Sequence, residues 1–425
     1  MKMGPRTFAP FLAAMFVLWP IIAYMGAQGY TGAIAIGALI GLAYVRLKSI
    51  QIYVPVFLAL LAWIIAAGFW APEAKSLLTG NVFRGSFSMD MPGIRFGLTA
   101  LAGLAVLVAT GAVERSSVPR SLTVATTAGY VQFGGVLVTA IFMPQILSAL
   151  APISDPTSEM PQNLLRNATS FLLLLPFLLA WLWHAPKTEF KPILAISMVI
   201  LAIAGFLQTD NQTAAVGSVF MLLSMALIKF MPRNGFKVLF STLAFYVVAA
   251  PALLSWGVSQ IRMTGIPLPR SFFSRTYSWE LVGSKVGEAP LTGHGLEASQ
   301  TWRESYKAYP EWLADATARY GDTHAWEIYP VIPLHPHNMP LQIWVETGMI
   351  GALLAAFSLF FLGWRLRPPE AWPPISKYAA AGLVGACFAV CSFAYSMWNE
   401  AFWASVALAA ALILLRARHD GPVAK

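Results

Sequence analysis

The chain has 425 residues, of which 57% are hydrophobic and only 11% are Asp, Glu, Lys or Arg, with a mean hydropathy of +0.64. About a quarter of an ordinary globular chain is charged, so a surface this poor in charge excludes a soluble, fibrous or disordered protein. The net charge of +9 does not point to nucleic acid, because the basic residues stand in twos and threes at the ends of apolar runs and form no stripe.

Those runs approach the roughly 20 residues that a membrane-crossing helix needs. They predict helices at 8–27, 29–45, 52–70, 94–113, 121–142, 167–183, 192–208, 213–230, 238–257, 340–363, 378–397 and 400–416. The expected fold is an all-α integral membrane protein of about twelve transmembrane helices with one large, partly helical periplasmic loop. Lys2 and Arg6 before the first run imitate a signal peptide, but a second span follows at once, so the first helix is expected to stay attached. A cytoplasmic N-terminus puts 17 of the 28 Lys and Arg residues on the cytoplasmic side. Seven of the others lie in one long loop, and long segments translocate largely regardless of charge. Both termini are therefore expected in the cytoplasm of a bacterial inner membrane. The chain divides into a nine-helix region (1–257), the loop (258–339) and a three-helix region (340–425).

The loop carries 15 charges and four of the six histidines, His294, His324, His335 and His337. Residues 272–288 space Phe272, Phe273, Trp279, Val282 and Val286 near helical period, with Pro290 as a stop. Residues 297–320 mix Trp302, Tyr306, Trp312 and Leu313 with charges and predict a second helix, broken near Pro310. Cys387 and Cys391 fall inside one apolar run and read as small core hydrophobes.

Two stretches carry chemistry. In 335–351, His337 and Asn338 precede a helix in which Gln342 and Glu346, four apart, share one face. A carboxylate entering an apolar helix is costly and implies a function. Asn338 suits an N-cap, and Gly348 and Gly351 allow another backbone to approach. In the second stretch, Arg275 offers a planar fork of donors for phosphate. The Gly293-His294-Gly295 turn is suited to presenting backbone amides to a ligand.

Arg275…Trp279…Pro290-Leu291-x-Gly293-x-Gly295, followed by His337-Asn338-x-x-Leu341-Gln342-x-x-x-Glu346-x-Gly348-x-x-Gly351, resembles the O-antigen ligase and O-antigen polymerase family of bacterial envelope glycosyltransferases. Arg166-Asn167 followed by Leu175-Pro176 is a further, weaker likeness. The resemblance implies an inverting, metal-independent transfer of a glycan from undecaprenyl diphosphate, with no cofactor. A ligase passes the glycan to lipid A-core, and a polymerase passes it to another lipid-linked repeat unit. It implies His337 as general base and Arg275 as the main diphosphate ligand, helped by Arg166, Arg84 or Arg95. Asn338, Gln342, Glu346, Gly293 and Gly295 are expected to support them. One departure stands out: family ligases carry an arginine between the seventh and eighth helices, where this chain has Gln212. Either Arg84, Arg95 or Arg166 takes over, or this member handles its donor differently.

The residues agree with that chemistry. A leaving lipid diphosphate gains charge that cationic forks stabilise, and a histidine can take the acceptor's proton near neutral pH. No Asp-x-Asp string and no nucleotide-binding glycine loop is present. A zinc site built from His335, His337 and His294 or His324 lacks helical ligand spacing, because Pro336 intervenes. A polysaccharide flippase, the non-enzyme alternative, would place polar groups at the midplane and not at one face.

Overall fold

The computed structural model describes residues 8–27, 29–42, 53–72, 91–150, 160–184, 190–321, 324–365 and 372–420; Arg84 lies outside them. These residues form α1 (Phe8–Tyr24), α2 (Gly29–Gly41), α3 (Tyr53–Ala67), α4 (Pro92–Ala112), α5 (Val118–Leu150), α6 (Met160–His184) and α7 (Lys191–Gln208). The series continues with α8 (Gln212–Phe230), α9 (Gly235–Thr264), α10 (Arg270–Glu288), α11 (Pro310–Tyr320), α12 (Met339–Arg365), α13 (Pro374–Phe393) and α14 (Glu400–Asp420). Among the described residues there is no strand, only one antiparallel bridge between Ser305 and Pro330. The chain is thus all-helical. Nine described helices are long and apolar enough to cross a membrane, and three more apolar helices, Phe8–Tyr24, Gly29–Gly41 and Pro55–Trp70, are shorter.

Helix α6 runs through the middle of the bundle, touching α1, α5, α7, α8, α13 and α14. Its run Phe171–Leu175, with Phe177, Leu178 and Ala180, is buried, as expected of a helix that is apolar all round. Helices α8 with α13, α9 with α12, α1 with α5, and α4 with α14 make the broadest pairings around it. By contrast, α7 turns Ile193, Leu194, Ile196, Ile200 and Leu201 outward. In water such a band would be an aggregation surface. In lipid it needs no cover, because each helix satisfies its own backbone.

Several boundaries differ from expectation, each for a local reason. Helix α5 runs eight residues past 142 but breaks at Phe142 (φ −115°, ψ 19°), two residues before Pro144, whose ring clashes with the preceding turn. Helix α6 starts at Met160, not at 167. Helix α9 continues past 257 to Thr264 and stops at Gly265 in the left-handed region (φ 63°), a frequent helix terminator. Helix α13 ends at Phe393, so 394–399 is irregular where a helix to 397 is expected.

The polar segment between α9 and α12 builds a second core. Phe273, Tyr277, Trp279, Val282 and Val286 of α10 pack with Tyr306, Trp312, Trp326, Val331 and Ile332, and join Val258 of α9 and Leu341 and Val345 of α12. Asp315 knits it together, accepting from Tyr277 Oη at 2.8 Å and from Arg319 Nε at 2.8 Å. The expected helix over 297–320 is only half right. Residues 298–301 and 306–308 are single 3₁₀ turns, and α11 alone is α-helical. Glu297 takes a left-handed φ of 57°, and Glu304 accepts from Val331 N at 2.8 Å. The aromatic spacing there reflects packing onto α10, not helical period.

Candidate active site

A break in α12 sets the frame. Gly348 adopts φ 69°, ψ −171°, a conformation open to glycine. The freed backbone pairs with the stretch 290–295 laid alongside. His294 N donates to Val345 O (2.9 Å), Gly295 N to Glu346 O (2.9 Å), Met349 N to Pro290 O (2.9 Å) and Ile350 N to Leu291 O (3.3 Å). A Cβ at Gly348 would collide with the Leu291 carbonyl, and one at Gly293 with the Glu346 carbonyl group. The two glycine motifs therefore exist for each other. The amides of His294 and Gly295 are used within the fold, which corrects the expectation that this turn presents them to a ligand.

Side chains from the start of α12 extend the same tie. Glu346 is completely buried and accepts four bonds: from Glu297 N (2.8 Å), Ser299 Oγ (2.5 Å), Trp398 Nε1 (2.5 Å) and Gln342 Nε2 (3.2 Å). Gln342 accepts from Met397 N (2.8 Å) and donates to Ser396 Oγ (3.1 Å). Asn338 caps the helix, accepting from Leu341 N (3.0 Å), and donates to Tyr246 Oη (2.8 Å) and to the Ser392 carbonyl (3.2 Å). These three residues hold the loop and the unwound stretch 394–399. None of these bonds reaches a histidine. The helix face shared by Gln342 and Glu346 is visible in the sequence, but its partners are not. Ser396, Asn399 and Glu400 within an apolar run are the only signal that α13 stops early.

What this frame positions is a pair of histidines and one arginine. His337 stands at φ 50°, strained for a side chain of its size. Its Nδ1 lies 2.7 Å from the Ala394 carbonyl. A carbonyl can only accept, so Nδ1 carries the proton and Nε2 keeps a lone pair. Burial, together with the Arg275 charge, pushes His337 down to about 4, so it is neutral near pH 7. Trp279 Nε1 donates to the Pro336 carbonyl at 2.9 Å, which fixes the 335–337 turn against α10. Arg275 is one helical turn before Trp279, on the same face.

The guanidinium of Arg275 lies over Phe272, 4.8 Å from its ring centroid. Phe393 packs against both Phe272 (5.6 Å) and Trp279 (6.4 Å), and the next residue, Ala394, holds His337. Nε and Nη1 of Arg275 are buried without a hydrogen-bond partner, and burial lowers the group to about 10. It is still charged at neutral pH. A buried cation with open donors is costly unless an anion completes it.

The other expected ligands are placed differently. Arg95 is engaged by Glu400 at 2.8 Å, so its charge is already matched. Arg166 lines a small pocket with Thr169, Ser170, Tyr395 and Asn399. Gln212 bonds to Asp210 (3.2 Å) and accepts from Ser271 Oγ (3.2 Å). Ser271 lies one turn before Arg275, so Gln212 touches the helix that carries the arginine. His294 is turned away, its Nε2 donating to the Lys285 carbonyl at 2.8 Å. No group of three His, Cys, Asp or Glu residues suited to a metal occurs among the described residues.

Comparison with known proteins agrees with the motifs. Residues 166–356 match the family model described as O-antigen ligase, a stretch that holds Arg275 and His337. A Rickettsia conorii protein provisionally named a polysaccharide ligase is 32% identical over 80 residues, which cover 19% of this chain and 16% of the relative. The likeness therefore spans about a sixth of that protein's length.

Two substitutions probe the frame. Gly348→Ala forces a side chain into the Leu291 carbonyl, and Glu346→Gln turns an amide toward donors that now lack an acceptor, at about 1–3 kcal/mol for each unsatisfied group. Both are expected to lower the unfolding temperature of the detergent-purified protein by several degrees. A Glu346→Gln protein as stable as the wild type would show that the buried carboxylate does not hold the loop.

Proposed function

Since residues 166–356 match the O-antigen ligase family model, we propose that the chain is a multi-pass, inner-membrane glycosyltransferase. It moves a glycan from undecaprenyl diphosphate to an acceptor hydroxyl, with lipid A-core as the acceptor. The observation that carries this reading is the buried Arg275 fork, unpartnered on two nitrogens, beside a neutral histidine with a free Nε2. The segment 258–339 is the periplasmic part, between a nine-helix region and a three-helix region, and both termini are cytoplasmic.

In the transfer, the acceptor oxygen attacks the anomeric carbon as the bond to the diphosphate oxygen breaks, which inverts the centre. His337 Nε2 takes the hydroxyl proton. The departing diphosphate keeps the bonding pair, and its growing charge is met by Arg275, whose fork needs no reorganisation. Nothing in this step calls for a metal. Arg166 helps from the pocket it shares with Tyr395, the residue next to the Ala394 that holds His337. A polymerase, accepting onto a second lipid-linked repeat unit, is the second reading, favoured by Gln212 where family ligases carry an arginine.

Topology is checked by alkaline phosphatase fusions. Activity is expected at residue 300 and none at residue 425, and the opposite pattern contradicts the periplasmic assignment.

The base is checked by transfer from the lipid-diphosphate donor with purified protein. His337→Ala is expected to lose about 10²–10⁴-fold of the rate while remaining folded, and wild-type activity is expected to survive chelator. The base must be unprotonated, and its free-enzyme pKa lies near 4. kcat/KM should therefore stay level from pH 8 to about 5 and fall only below that. A His337→Ala rate above about a tenth of wild type, or loss on chelation, overturns this mechanism.

A further inference from the structure

The residue two positions before the base has a role of its own. His335 and His337 have ring centroids 4.3 Å apart, and the Arg275 charge acts on both. Their protons sit on opposite nitrogens. The His337 backbone N–H donates to His335 Nδ1 at 3.2 Å, so Nδ1 must be the bare nitrogen and Nε2 must carry the hydrogen. His337 is the reverse, as its bond to the Ala394 carbonyl requires. Among the described residues neither Nε2 has a hydrogen-bond partner, and neither is among the buried unpartnered atoms, so both open onto accessible space. The turn thus displays one N–H donor and one lone pair, side by side. Burial, reinforced by His337 and Arg275, pushes His335 down to about 3, so it stays a neutral imidazole that donates a hydrogen bond without releasing its proton.

We propose that His335 is a hydrogen-bond donor to the leaving diphosphate, acting from Nε2 on the same anion that Arg275 holds. This rests on the transferase reading above. Like Arg275, His335 has an open donor, and an oxyanion is the ligand that satisfies both. No proton moves in this interaction: as the glycosidic bond breaks, the diphosphate gains charge, and the N–H bond to it strengthens. The division of labour follows from atoms. Only His337 has a lone pair for the acceptor hydroxyl, and only His335 has a hydrogen for the phosphate.

A purely structural role, holding the His337 backbone through Nδ1, predicts a different pattern of substitutions. Asn places a polar atom near Nδ1 and none at Nε2, while Gln reaches the Nε2 position with an N–H. The test is the affinity of the purified full-length protein for undecaprenyl diphosphate, with thermal unfolding measured alongside. His335→Asn is expected to bind about tenfold or more weakly, the size of one lost hydrogen bond to a charged group. His335→Gln is expected to stay within about threefold of wild type, a smaller change than that loss. If His335→Asn binds like wild type, or if His335→Gln binds as weakly as His335→Asn, the proposal is overturned. If wild-type protein itself fails to bind undecaprenyl diphosphate, the transferase reading fails first, and the two failures are distinct.

Discussion

The carboxylate of Glu346 is where membrane helix, polar loop and the connection that holds the His335–His337 turn are joined. It sits completely buried at the top of α12, and four donors from three separate stretches of chain converge on it: Glu297 N and Ser299 Oγ from the loop, Gln342 Nε2 from its own helix, and Trp398 Nε1 from the α13–α14 connection. A carboxyl group in such a place is tolerable only with its oxygens fully engaged. Once engaged, it makes the positions of all three stretches conditional on one another. The Ala394 carbonyl that sets the His337 tautomer belongs to one of them, and the 290–295 pairing with broken α12 belongs to another. The candidate base, His337, is thus oriented at second hand, through the stretches that Glu346 ties together.

Against that frame, Arg275 stands apart as a buried cation that meets no carboxylate among the described residues. Other cations of the same segment are matched: Arg262 by Glu280 at 2.6 Å, Arg319 by Asp315 at 2.8 Å and Lys285 by Glu288 at 3.0 Å. Arg275 has an aromatic ring beneath it and two buried donors with nothing to bond. Its charge costs stability and also depresses both neighbouring histidines. A buried cationic fork left open in this way is what a site for an anionic ligand would show, since functional sites are where local rules are broken.

Much of this was legible in the sequence, and the gaps have physical causes. The membrane class follows from composition, and the shared face of Gln342 and Glu346 follows from helical period. Gly348 was correctly suited to close approach, but its partner, Gly293-His294-Gly295, read as a ligand turn because pairing between segments 55 residues apart leaves no local trace. The early end of α13 was hidden for a similar reason: the amide of Met397 is satisfied by the Gln342 side chain, not by a helical carbonyl. The aromatic spacing in 297–320 imitated a helix because those rings pack on α10. Arg166 and Arg95 were expected to help Arg275, and tertiary partners separate the three: Arg95 pairs with Glu400, while Arg275 keeps open donors.

The central claim, that Arg275 serves the transfer of a lipid-linked glycan at the outer face, is most directly tested in the envelope of a strain lacking the gene. Ligase function predicts that polymeric glycan accumulates on its lipid carrier without reaching lipid A-core. It also predicts that wild type restores attachment and Arg275→Lys does not, because lysine keeps the charge but loses the two-pronged fork. Repeat units trapped inside the cell, or full restoration by Arg275→Lys, would contradict the account.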